Sequence, residues 1–163
     1  MDRSYVTHRL RPASVLFTDF YFYLIAFKAD SDRPEPIYFR VDRIKCLVEH
    51  RKRFSAEEGA FDEGLLRRRS LFMWPGRLRT IRFEFTGPSV QAVLDKLPTA
   101  KVIERSGGVC LIEAEVYGDG IRMWLLSQGS WVRVVGPEEF VEEMKAEIGK
   151  MQALYEGDAC GKG

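Results

Sequence analysis

With 163 residues, 45% of them apolar and 30% charged, the chain is long enough for one domain or two small ones and too apolar to stay disordered. A net charge of +1 excludes a protein whose whole surface attracts nucleic acid. The longest apolar run, FYFYLIAF at 20–27, falls well short of the roughly 20 residues a membrane-spanning helix needs, and the polar start MDRSYVTHRLRP carries no apolar leader core. A cytoplasmic protein with no membrane contact is the expectation.

From residue 9 to residue 49 the chain reads as short strands. LRPASVLF is a proline followed by an apolar run, Thr18-Asp19 is a turn, FYFYLIAF is aromatic-rich, and DSDRPEP is a loop of turn formers. IYFRVDRIKCLVEH then alternates, with Ile37, Phe39 and Val41 on one face and Tyr38, Arg40 and Asp42 on the other. Three strands of about 6–8 residues with tight turns suggest a small, bent antiparallel sheet or barrel.

Residues 51–76 change character: acids early, arginines late and interrupting glycines suggest a linker with one short helix around 62–71, closed by Pro75-Gly76. From Arg79 the order is clearer. TIRFEF is a strand, PSVQAVLDKL a helix with Pro88 in its first position, and KVIER a strand. Ser106-Gly107-Gly108 is a hairpin turn, VCLIEAEV a strand, GIRMWLLSQG a helix ending at Gly129, and WVRVV a strand. In PEEFVEEMKAEIGKMQALY, the residues Phe140, Val141, Met144, Ile148, Met151 and Leu154 follow a helical stripe. This β-α-β-β-α-β order plus a final helix is the ferredoxin-like pattern. The expected fold is therefore α+β, divided as a barrel at 1–50, the linker at 51–76, a ferredoxin-like unit at 77–155 and a disordered tail at 156–163.

Chemistry-bearing motifs are scarce. Cys46, Cys110 and Cys160 are odd in number and never at C-x-x-C spacing, which argues against disulfides and a zinc site; Cys46 and Cys110 read as strand residues. The chain has two histidines, His8 and His50, and no phosphate loop, nucleophile elbow or zinc-protease motif, so no catalytic residue, metal or cofactor is expected. Charge is uneven, however. Residues 33–53 hold seven Lys or Arg against three acids, whereas residues 138–147 hold five glutamates against Lys145. An anion would go to the first half. Arg40 and Arg43 have opposite parity on a strand, so both reach one ligand only if the strand bends or ends near Asp42. The alternative for Arg40 is a surface ion pair with Asp42. Tyr21 and Tyr23 share one strand face and Phe20 and Phe22 the other, so one pair faces a core. Trp124 and Trp131 read as core of the second unit.

Two motifs resemble a known family. Phe22-Tyr23-Leu24 is similar to the Trp-Tyr-Leu motif of WYL-domain transcriptional regulators, with Phe22 in place of Trp, and Phe39-Arg40-Val41-Asp42-Arg43-Ile44 resembles the family's Phe-Arg-Leu-Asp-Arg-Ile run. Trp124-Leu125-Leu126-Ser127, Gly129, VRVVGP and the acidic helix after them resemble the C-terminal extension that follows many WYL domains. The resemblance covers residues 7–153. It implies an SH3- or Sm-like barrel followed by a ferredoxin-like extension, in a dimeric, cytoplasmic bacterial regulator whose barrel senses a nucleotide or single-stranded DNA. It also implies a helix-turn-helix domain ahead of the barrel, absent from this chain, and a first barrel strand missing or reduced to MDRSYVT, leaving an edge for a partner chain. By the same resemblance the ligand surface uses Tyr23, Arg40 and Arg43, with His8 and Arg9 added from the neighbouring strand. The competing expectations are a structural dimerisation module without a ligand and, behind it, a small nucleotide-acting enzyme.

Overall fold

A computed structural model describes residues 5–30, 36–51, 54, 64, 66, 74 and 76–157. It is an α+β protein with two antiparallel sheets. The first sheet is a meander of β1 (Leu10–Thr18), β2 (Tyr21–Lys28) and β3 (Ile37–Arg40), with β2 in the centre. Pro12, which has no N–H to donate, lies on β1, an edge strand, and the register shifts between Pro12 and Ser14, a placement that spares the ladder a missing bond. The β1–β2 turn is Asp19-Phe20, one residue later than the sequence suggested, because both residues take the left-handed φ, 47° and 68°, that a two-residue hairpin favours.

The third strand is half the expected length. It stops at Arg40, and Val41–Arg43 form a 3-10 turn closed by the Ile44 N–H donating to the Val41 carbonyl at 3.2 Å. Asp42 explains the stop: aspartate is poor in strands, and its carboxylate is taken by a local partner, Arg40. Residues 44–50 follow without regular structure, so Cys46 is exposed and outside any strand. Leu16, Ile25 and Leu66 form the core of this unit, with Tyr23, Tyr38 and Tyr117 packed against it. Leu66 thus ties the linker to the sheet. The linker helix expected over 62–71 otherwise falls outside the described residues, as do Arg33, Lys52, Arg53 and the tail from 158.

The second unit runs β4 (Leu78–Phe85), α1 (Val90–Lys96), β5 (Lys101–Ser106), β6 (Val109–Tyr117), α2 (Gly120–Ser127), β7 (Val132–Gly136) and α3 (Glu138–Gly157). Its sheet order is β5-β6-β4-β7, all antiparallel, which is the ferredoxin-like arrangement. Alternation builds the core: Ile81, Phe83 and Phe85 on β4 and Cys110, Ile112, Ala114 and Val116 on β6 point to the helices. Val93, Leu97, Ile121, Trp124, Leu125, Phe140 and Met144 meet them from α1, α2 and α3. The other face is laced by ion pairs, Arg82 with Glu113 at 2.7 Å and Arg133 with Glu84 at 2.6 and 2.8 Å.

Three sequence expectations shift here. Ser89, not Pro88, starts α1: its Oγ accepts the Ala92 N–H at 3.3 Å, so Pro88 stands before the cap. Trp131 is half exposed, because the 3-10 turn Gly129–Trp131 carries it off the helix face that buries Trp124. The stripe on α3 is buried only at Phe140 and Met144, while Ile148, Met151 and Leu154 are exposed. A helix of 20 residues is about 30 Å long by its rise, whereas β7 beneath it has five residues, so the last turns pass the end of the strand. Among the described residues no helix is long and apolar enough to cross a membrane.

A glycine pair stands where the chain enters the second unit, just beyond the Leu78–Tyr117 end of the β4–β6 ladder. Gly76 has φ of 154°, and a Cβ there would come within 2.5 Å of the Gly118 Cα, a backbone atom that cannot swing aside. Gly76→Ala is therefore expected to cost roughly 2 kcal/mol, by overpacking and by φ strain, read from the denaturant midpoint. A change within 0.5 kcal/mol, the ordinary range for a surface site, would show that the junction relaxes freely.

Candidate ligand-binding site

The turn-proximal end of the first sheet collects aromatic rings and charges. Arg40 is the cross-strand partner of Tyr23, so both point to the core face of the sheet. The Arg40 guanidinium lies over the Tyr21 ring, its Cζ 3.3 Å from the centroid. Its Nε and Nη2 donate to the two carboxylate oxygens of Asp42 at 3.1 and 2.7 Å, a parallel two-point bond. Only 19% of the Arg40 side chain is exposed, against 52% for Asp42, so the arginine is the anchored partner. These bonds hold the arginine above its ordinary pKa, and the Arg40 hydrogen bond, opposed by partial desolvation, holds Asp42 below the usual carboxylate range. Arg43, the last residue of the 3-10 turn, is exposed, and its charge also acts on Asp42. The parity problem of the two arginines disappears because the turn replaces the strand between them.

Two expected residues stand elsewhere. The His8 ring packs on Phe39, centroids 5.2 Å apart, and Phe39 points to the face opposite Arg40. Arg9 lies at the far end of the β1–β2 hairpin, 3.7 Å from Asp30, both largely exposed. Both precede β1, which starts at Leu10, rather than lying on it.

Other side chains gather at the tip of the sheet. A shallow groove of about 330 Å³ at the tip is lined by Phe20, Tyr21, Phe22, Val41 and Asp42. Phe20 is 91% exposed, and Phe22 and Phe17, more than half exposed, pack on each other at 4.9 Å. The signal was present in the sequence as four aromatics within 17–22, but their faces depend on a turn placed one residue later than residue types alone suggest.

Phe20 is also strained. A bulky residue at φ of 68° is an outlier, and such positions concentrate at functional sites. Phe20→Gly should raise stability by up to about 1 kcal/mol in a thermal melt, since glycine takes that φ without a Cβ clash. The same change should weaken any ligand that stacks in the groove. A melting temperature lower than wild type would mean that the ring, though exposed, holds the turn.

Comparison with known proteins bears first on the second unit. Residues 77–152 match the family model of the WCX domain. The second unit is similar to a WCX domain. That family is the C-terminal extension associated with WYL domains. Among curated proteins, none matches this sequence. A solved structure similar to the chain is proteasome accessory factor B/C (PafBC) of Arthrobacter aurescens, at 20% identity and a TM-score of 0.42, over 90% of this chain and 22% of that one. This chain thus spans 22% of the length of that neighbour. Tyr117, at the end of β6, packs against the Leu16, Ile25 and Leu66 core, so the second unit touches the sheet that carries the groove.

Proposed function

We propose that the chain is the ligand-sensing part of a WYL-type bacterial transcriptional regulator and that it binds a nucleotide or a short single-stranded nucleic acid at the tip of the first sheet. The observation that carries this reading is Arg40, which lies over Tyr21 and is bonded to Asp42 at the edge of a groove that the exposed rings of Phe20 and Phe22 also line, with Arg43 exposed beside Asp42. Guanidinium groups take phosphate oxygens in pairs, and aromatic faces stack bases without regard to sequence. Tyr23 buttresses this surface from the core, while His8 and Arg9 have no direct part in it. The reading includes no chemistry and no cofactor. It places the protein in the cytoplasm as a homodimer that works with a helix-turn-helix domain, the ligand altering how the two halves of the dimer stand on DNA.

Titration of a labelled short single-stranded DNA by fluorescence anisotropy at two salt concentrations tests it. Saturable binding that weakens with salt is the expected result. A flat trace with folded protein would move the assignment to the second reading, a dimerisation module. One observation favours that module: Ile148, Met151, Leu154 and Tyr155 are exposed along the last turns of α3.

A further inference from the structure

We infer that Asp42 is a built-in competitor for the anion site, a carboxylate seated where a ligand phosphate would bind, and that it sets the selectivity of the site. The inference rests on the ligand-binding reading above and deepens it. A carboxylate presents two oxygens to a guanidinium much as a phosphate does, and Asp42 already holds the Nε–Nη2 edge of Arg40 through both of its oxygens. Arg40 is locked from a second side, its plane lying on the Tyr21 ring, and is mostly covered. Asp42 is half exposed on a short 3-10 turn and is free of the sheet ladder. The acid can therefore swing into solvent while the arginine stays in place.

The consequence is an exchange reaction. A phosphate that takes this edge breaks one bidentate ion pair and makes another, so charge alone gains little. The surplus comes from what a carboxylate cannot use: the exposed rings of Phe20 and Phe22, which line the groove beside Asp42 and can stack a base. Such a site rejects inorganic phosphate and other base-free anions and accepts ligands that carry an aromatic base and a phosphate together. Asp42 thus converts a general anion site into one that requires stacking.

A double-mutant cycle tests this, with a fluorescein-labelled oligothymidylate of about ten nucleotides and, as competitor, inorganic polyphosphate. Asp42→Asn is expected to tighten the oligonucleotide by roughly fivefold, the upper end of what an exposed ion pair is worth, and to make polyphosphate a better competitor by at least as much. In an Arg40→Ala background the gain should shrink to the weak effect of a surface carboxylate that no longer holds a guanidinium edge. Asp19→Asn removes the same charge from the hairpin turn without touching Arg40 and should change little. Asp42→Ser serves if the asparagine variant fails to fold by circular dichroism. Wild-type binding left unchanged by both Asp42 substitutions would overturn the inference and leave the ligand reading standing. So would a gain of equal size in the Arg40→Ala background, or one matched by Asp19→Asn, since either would be a general charge effect. No binding by the wild type or by any Asp42 variant would overturn the ligand reading and this inference with it.

Discussion

Phe83→Ala is expected to destabilise the second unit by about 3–5 kcal/mol, a large part of the 5–15 kcal/mol that typically holds a domain folded. Phe83 is fully buried at the middle of β4, the strand flanked by both β6 and β7. Its ring meets Trp124 of α2 edge-on at 6.3 Å, and its cross-strand partners are Ile112 and Val134. The ring is therefore enclosed from the sheet and from the helix layer, and its removal leaves a cavity that neither side can close without bending a paired strand. Trp131→Ala is the matched control: the residue is as large but half exposed, and about 1 kcal/mol or less should be lost. Urea unfolding of both variants measures the difference. Equal losses would mean that the core does not centre on β4.

Arg40→Ala is expected to weaken oligonucleotide binding by at least tenfold while leaving the fold intact, and to reduce the salt dependence by about one phosphate contact. Arg40 is an end-of-strand residue whose partners, Tyr21 and Asp42, are themselves exposed, so its loss opens no cavity in a core. Asp42 would be left without its partner at the rim of the groove, where its charge opposes an incoming phosphate. Truncation thus removes an attraction and uncovers a repulsion, and the affinity change should exceed that of Arg43→Ala, whose side chain is exposed and not stacked. Equal affinity in the wild type and both variants would rule out this site.

The second half of the chain was the more legible. Alternation over Ile81, Phe83 and Phe85, the helical spacing of Phe140 and Met144, and the Gly107-Gly108 turn are local signals, each readable without knowing what lies across the sheet. The first half was less so. The identities of Arg40 and Arg43 could be picked out from their motif, but their relation depends on where β3 ends, and a 3-10 turn ends it two residues before the alternation pattern would.

Residue order alone determined the α+β class, the two-unit division of strands and helices, the absence of an apolar run long enough to span a membrane, and the basic bias around Arg40 and Arg43. The tertiary structure decided which side chains share a surface. Seating the hairpin turn on Asp19-Phe20 placed a strained ring at the tip, and pairing β2 with β3 brought Arg40 onto Tyr21 and left its edge to Asp42. It also set apart His8 and Arg9, and left the last turns of α3 beyond the end of β7. Strand and helix periods are properties of neighbours in the chain, whereas the reach of one charge toward another depends on register and turn geometry, which only packing settles.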